Sequence, residues 1–306
     1  MSETLLEGPF RKPRQMLAEQ EYGGHTSIHD DETAEKLGFV AGPIEGPTHF
    51  SQFVPLLQTL WGQDWLESGC LSVHFQNMCV EGDEIKAWVK PDPENKNLAH
   101  IWAEKADATP VLMGTATLPD SAGVYPQSEL EKRLARLTPA GKLLILEPLS
   151  VGLKATQRNP VSMAFEQNMG ALYPFSLKEK LEKITEPSDY YHPDTAQDSP
   201  WGDAIIPLEM ISVLTEYSND LAPFSVNGPA IGLFADLEVK VIDGPLIVGH
   251  EYLKEREIVA ISESKRTESY WVKTRLRDVT TGRIRAEVLL NHATLKASYH
   301  GYQTPS

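Results

Sequence analysis

The sequence predicts an α+β fold made twice over: two antiparallel sheets, each wrapped around a long central helix, packed as a pseudo-dimer. Three observations predict it. A loop punctuated by glycine and proline runs into an apolar helical segment at 48–60, and a comparable segment lies at 208–217. Each is followed by four β-rich stretches, several with the apolar/polar alternation of half-buried strands. Both halves also repeat a local order: Pro-Phe, a charged amphipathic segment, then an acid-Thr-Ala triplet (Glu32-Thr33-Ala34; Asp194-Thr195-Ala196). An aromatic (Phe39; Trp201), a proline (Pro43; Pro207) and the apolar helix follow in step. A helix with several long strands after it buries its apolar surface best when the sheet wraps it.

In the first copy the predicted strands are 71–80, 84–90, 100–106 and 111–118, and in the second 231–242, 246–258, 269–278 and 284–297. Turn residues separate them: Glu81-Gly82-Asp83, Asp243-Gly244-Pro245 and Thr280-Thr281-Gly282. The segment 122–161 reads as a linker with one short helix at 128–137. It divides an N-terminal domain, 1–121, from a C-terminal one, 162–306.

Charge narrows the function classes. Lys+Arg of 28 against Asp+Glu of 43 gives a net charge of −15, which repels phosphate backbones and anionic lipid. Neither nucleic acid nor a membrane is an expected partner. No run approaches the ~20 apolar residues of a membrane span, and no N-terminal targeting pattern is present, so a cytoplasmic location is expected. Cys70 and Cys79 have no partners at metal-ligand spacing and read as buried, reduced thiols. The arginines at 275, 277, 283 and 285 are the main basic concentration and read as a solvated sheet face paired with nearby acids.

The stretch 22–53 holds the candidate chemistry. It gathers His25, His29 and His49 around a loop that feeds a helix, and histidine is the side chain whose ordinary pKa lies near neutrality. His25 and His29, four apart and followed by Asp30, could supply a base whose tautomer a neighbouring group fixes. His49 and Glu45 flank the helix start, where backbone N–H groups lack intrahelical partners. The amides of Gly46 and Thr48 are therefore candidate donors to a carbonyl that becomes an oxyanion. Acids before a helix also serve as N-caps, a role open to Asp30 and Asp31. An HxxxH spacing without a third ligand does not make a metal site. If the halves form a pseudo-dimer, Tyr190 and His192 of the second copy could complete the site.

The order of polar loop, Glu32-Thr33-Ala34, Gly38-Phe39, Pro43-Ile44, Gly46 and helix resembles the MaoC-like hot-dog family, and the whole chain resembles a fused double hot-dog. The resemblance implies hydration or dehydration of an acyl thioester, with no cofactor beyond coenzyme A as substrate carrier, in a homodimer of double hot-dogs. It also marks Glu45 as a position where hot-dog enzymes carry a functional polar side chain. Family hydratases use a loop Asp and a His five residues later. In gap-free alignment those positions fall on Gly23 and Ile28, or with a shift of one on Gly24 and His29; the second copy has Thr185 and Tyr190. The acid is missing in each case, so a His-based, non-standard site is expected. Two alternatives accompany this reading: a hot-dog thioesterase in which Glu45 positions water, and a non-catalytic acyl-binding or scaffold subunit.

Overall fold

A computed structural model describes residues 4–22 and 25–302; the side chains of His25 and Thr26 lie outside that description, as do Gly23 and Gly24. The strands are β1 (Leu6–Glu7), β2 (Glu21–Tyr22), β3 (His25–Thr26), β4 (Cys70–Phe75), β5 (Ile85–Pro91), β6 (Leu98–Lys105), β7 (Pro110–Thr117), β8 (Lys154–Thr156), β9 (Gly232–Val241), β10 (Tyr252–Glu263), β11 (Thr267–Asp278) and β12 (Ile284–Leu295). The α-helices are α1 (Asp31–Lys36), α2 (Val54–Trp61), α3 (Asp64–Ser68), α4 (Glu129–Leu134), α5 (Leu177–Leu181) and α6 (Leu208–Glu216).

The expected pair of sheets is one continuous antiparallel sheet of ten strands, ordered β1-β5-β6-β7-β4-β9-β12-β11-β10-β8. The two halves join where β4 pairs with β9, from Cys70↔Lys240 to His74↔Asp236. Each of these strands would otherwise present a row of unpaired backbone groups, and pairing them removes two edges at once. The order reads alike from either end, so a pseudo-twofold axis passes between β4 and β9. A separate two-stranded ribbon, β2 with β3, stands beside the sheet.

The first central helix spans Gly46–Trp61 in two parts. Gly46–Phe53 winds as a 3₁₀ helix, and α2 continues from Val54 to its stop at Gly62, whose φ is 61°. The change of winding falls beside Pro55, which has no N–H to close a regular turn. Every residue from Pro47 to Phe53 is buried, as is every residue of α6 after Leu208. These two helices pack against each other inside the curve of the sheet, over a core that includes Phe50, Phe53, Leu57, Val213 and Leu214.

Lys180 and Glu209 lie in that seam, 3% and 2% exposed. Lys180 Nζ is 3.1 Å from Glu209 Oε1 and donates to Thr48 Oγ1 at 3.0 Å. The segment 122–161 crosses the opposite face. Its helix α4 is capped by a Ser128/Glu131 capping box and seats Leu130 over the β4 side of the sheet, where Leu130 N donates to Ser72 Oγ. Its strand β8 then forms the far edge beside β10. Cys70 and Cys79 are free and buried. Arg275 pairs with Glu287, Arg277 with Glu255, and Arg283 and Arg285 with Asp243. Among the described residues no helix is long and apolar enough to cross a membrane.

Candidate active site

A cavity of about 500 Å³ opens between the halves. One wall is N-terminal: the loop Ser27–His29, the turn Pro43–Gly46 and His49 on the central helix. The other is C-terminal: Glu216 at the end of α6, Asn219, Phe234 on β9, Arg256 on β10, Tyr270 on β11 and His292 on β12. Tyr173 lies between them.

The N-terminal wall is held by close backbone packing. Asp31 Oδ1 accepts from Gly42 N at 2.8 Å and ties the turn to the first turn of α1. A Cβ on Gly42 would lie 2.1 Å from the His29 carbonyl oxygen, so only glycine allows this approach. His29 Nδ1 sits 2.6 Å from the Pro43 carbonyl oxygen. A carbonyl can only accept, so Nδ1 carries the hydrogen and Nε2 is left as the basic nitrogen. Burial lowers the pKa of His29 to about 4 against the effect of that bond, which keeps the ring neutral at pH 7.

Glu45 ends the turn and caps the central helix from its backbone, with its side chain 6% exposed. Burial pushes its carboxyl up to about 7. Lys180 pulls the other way, while Glu209 and Glu216 add to the rise. The Tyr173 hydroxyl bonds this carboxyl, and Glu45 Oε1 has no hydrogen-bond partner. His49, 2% exposed, also leaves Nδ1 unpartnered, and burial lowers its pKa to about 4. Orphaned buried polar atoms in a cavity wall are what a bound ligand or water satisfies. Gly46 adjoins the Phe75 ring, which a Cβ there would meet at 2.7 Å.

The opposite wall was not singled out in the sequence. Glu216 is held by Asn219 Nδ2, which donates to Oε2 at 2.7 Å, and that same oxygen lies 3.5 Å from His292 Nε2. Tyr270 stacks on His292 with centroids 4.8 Å apart and planes 12° apart, and the Phe234 ring meets it edge-on at 5.5 Å. A bulge produces this arrangement: Asn291 pairs with Asp236 but His292 pairs with Phe234, leaving Ala235 as the extra residue. Asp236 accordingly stays with His74 and Asn291, away from the cavity, while Phe234 turns into it.

His29, His49, Glu45 and Gly46 thus meet in one cavity. Other residues singled out from the sequence are placed differently. Asp30 caps α1, accepting from Thr33 N and Thr33 Oγ1 at 2.9 and 2.7 Å, and those bonds lower its pKa. The Thr48 amide donates to the Glu45 carbonyl, its hydroxyl accepts from Lys180, and Thr48 is not part of the cavity lining. Tyr190 packs edge-on against Trp201 and His192 against Phe165, both outside the cavity lining. His25 lies in β3, and its side chain falls outside the described residues.

The pseudo-symmetric position has no equivalent chemistry. Ile44 N donates to Cys79 O just as Ile206 N donates to Leu246 O, which sets the correspondence between halves. Pro207 then stands where Glu45 does, Leu208 for Gly46, Ile211 for His49 and Val54 for Glu216. The space there shrinks to about 20 Å³ with an apolar lining. Among the described residues the two pseudo-equivalent positions thus differ: one opens as a polar cavity and the other is filled by apolar side chains.

No protein-family model matches the chain, and neither does any curated sequence. Solved structures do match, and they include MaoC-like dehydratases with a double hot-dog fold. A MaoC domain protein assigned as a dehydratase from Chloroflexus aurantiacus aligns with TM-score 0.59 and 12% identity over 96% of this chain and 95% of its own. A Mycobacterium tuberculosis protein with a double hot-dog fold gives 0.58 and 11% over 96% and 97%. A further MaoC-like dehydratase gives 0.52 and 12% over the same shares. At this identity the likeness establishes the double hot-dog fold.

Proposed function

We propose, on the premise of a double hot-dog fold shared with MaoC-like dehydratases, that this chain adds water to, or removes it from, the α,β bond of an acyl thioester. Glu45 carries the reading. It is a buried carboxyl held near neutral pKa, with one oxygen unpartnered, at the head of a central helix and in a cavity shared by two neutral histidines. Such a group exchanges a proton readily at pH 7 in either direction.

In the hydration direction His29 Nε2 takes a proton from water, and the hydroxide adds to the β carbon. Charge moves to the thioester oxygen, toward the Gly46 amide at the helix start. Protonated Glu45 then supplies the α proton. Tyr173 holds Glu45, and the missing loop acid of family hydratases is replaced by a base whose tautomer the Pro43 carbonyl fixes.

The test uses enoyl-CoAs and saturated acyl-CoAs, following double-bond absorbance and free thiol. Loss of the double bond supports hydration. Release of thiol without it moves the assignment to a thioesterase, and neither signal with retained binding moves it to an acyl-binding protein.

A further inference from the structure

The C-terminal wall of the cavity holds a buried cation with no counter-ion in contact among the described residues. Lys254 and Arg256 alternate on β10 and face inward together, 1% and 5% exposed. Lys254 is fully engaged: Nζ donates to Thr215 O at 3.0 Å, and to Ser218 Oγ and Asn219 Oδ1 at 2.9 Å each, closing the end of α6. Arg256 donates to the Ala222 carbonyl and lies over the Phe224 ring, with no carboxylate within ion-pairing distance among the described residues. The other arginines are paired with acids or exposed to water. Glu216 attracts Arg256 from beyond contact, its own carboxylate being held by Asn219 beside His292. Glu216 and Asp220, the latter exposed at the cavity rim, both attract Lys254, and neither touches Arg256. A negative charge beside Arg256 would give it a partner in contact, whereas an aliphatic tail placed there would leave a guanidinium desolvated and unmatched.

We propose that Arg256, with Tyr270 on the same cavity wall, receives a carboxylate at the far end of the acyl group, making the substrate a short dicarboxylic acyl thioester. This rests on the acyl-thioester reading of the same cavity. A guanidinium suits the task because it stays charged and presents paired N–H donors to two oxygens. Phosphates of the carrier offer the same chemistry, but the deep burial of Arg256 on the wall facing Glu45 favours the acyl end.

The test is calorimetric binding of two unreactive thioethers, S-(3-carboxypropyl)-CoA and S-pentyl-CoA. Wild-type protein is expected to bind the carboxylate about 10- to 100-fold more tightly. Arg256→Gln should erase the preference, and Arg256→Lys should keep part of it with an unchanged melting temperature, showing that the pocket is intact. Equal binding of the two ligands by wild type overturns the proposal, as does a preference that survives Arg256→Gln or a failure of both ligands to bind. The same pair built on pantetheine, without the nucleotide, separates the anion sources. A preference retained there supports the acyl carboxylate. An Arg256→Gln loss that is equal for both CoA ligands and absent with pantetheine assigns the site to a carrier phosphate and overturns it. Carboxylate preference without hydration of any enoyl thioester removes the proposed reaction and leaves the subsite; crotonyl-CoA hydration without the preference does the reverse.

Discussion

The bond between His29 Nδ1 and the Pro43 carbonyl, 2.6 Å long, decides which nitrogen of this histidine can act as a base. It ties the loop that carries the histidine to the turn that carries Glu45. His29→Ala is expected to lower turnover about 10²- to 10⁴-fold with little change in melting temperature. With a pKa of about 4, His29 loses its basic form only as pH falls through that value. The acid limb of the hydration profile should therefore lie near pH 4, below the ordinary histidine range. A limb near 6.5 that vanishes in another histidine variant would remove His29 as the base.

In the proposed reaction Glu45 sets the other limb. Hydration needs its protonated form, so activity should fall as pH rises through about 7, and dehydration, which runs the same steps backwards from the same overall protonation state, should fall over the same range. Glu45→Gln should abolish that limb and cost about 10²- to 10⁴-fold in rate.

The same substitution should stabilise the fold. A carboxyl raised in the folded state binds its proton more tightly there than in the unfolded chain. Its contribution is present below about pH 4.5 and lost as pH rises through about 7. Above pH 7 the buried charge costs about 3 kcal/mol, which a neutral amide removes. Urea unfolding at pH 5 and pH 8 checks this: Glu45→Gln should gain over wild type chiefly at pH 8. No gain there would mean that Glu45 ionises without penalty.

Parts of this site were legible in the sequence and parts were not, for physical reasons. Glu45 and His49 stood out because polar groups flank an otherwise apolar helix start. Arg256 did not, because β10 alternates Tyr252, Lys254, Arg256 and Ile258 inward against Leu253, Glu255 and Glu257, and both faces are mixed. His292 depends on a bulge at Ala235 that no period-2 pattern announces. The sheet as a whole shows the same division. Strand positions followed from alternation, whereas the β4–β9 junction is backbone pairing, which any two strands of suitable edge can make. The predicted strand at 246–258 lies instead at Tyr252–Glu263, because Leu246 and Ile247 are used to line the small apolar space and to pair with the chain near Ile205.

Lys180 couples stability to the site. Lys180→Met leaves Glu209 buried without its cation and should cost about 3–5 kcal/mol of unfolding free energy. Lys180→Met with Glu209→Leu should recover most of that loss. Because Lys180 pulls the Glu45 pKa down and Glu209 pushes it up, Lys180→Met alone should move the Glu45 limb of the pH profile upward, and the double variant should move it less. An unmoved limb in folded Lys180→Met would show that Lys180 does not act on Glu45.

Gly42 is a backbone requirement of the loop that carries His29. In Gly42→Ala the new methyl meets the His29 carbonyl at 2.1 Å, and neither backbone can yield without moving His29 from Pro43. The variant should lose about 1–3 kcal/mol of stability and at least about tenfold in turnover. Gly38→Ala provides the control, since nothing lies within 4 Å of its Cβ position although its φ of 84° is strained. It should cost stability without a matching loss of turnover per folded molecule.

The asymmetry between the halves bears on how many ligands one chain can take. Pro207, Leu208 and Ile211 occupy the places of Glu45, Gly46 and His49, and Val54 that of Glu216, so the second position has neither the space nor the polar groups to hold an acyl thioester. Calorimetric titration with an unreactive acyl-CoA thioether should therefore saturate at one ligand per chain. Reopening the closed copy with Leu208→Gly should leave that stoichiometry unchanged, because the polar groups would still be missing. Two ligands per wild-type chain would mean that the apolar copy opens on binding and that the two halves are equivalent in function.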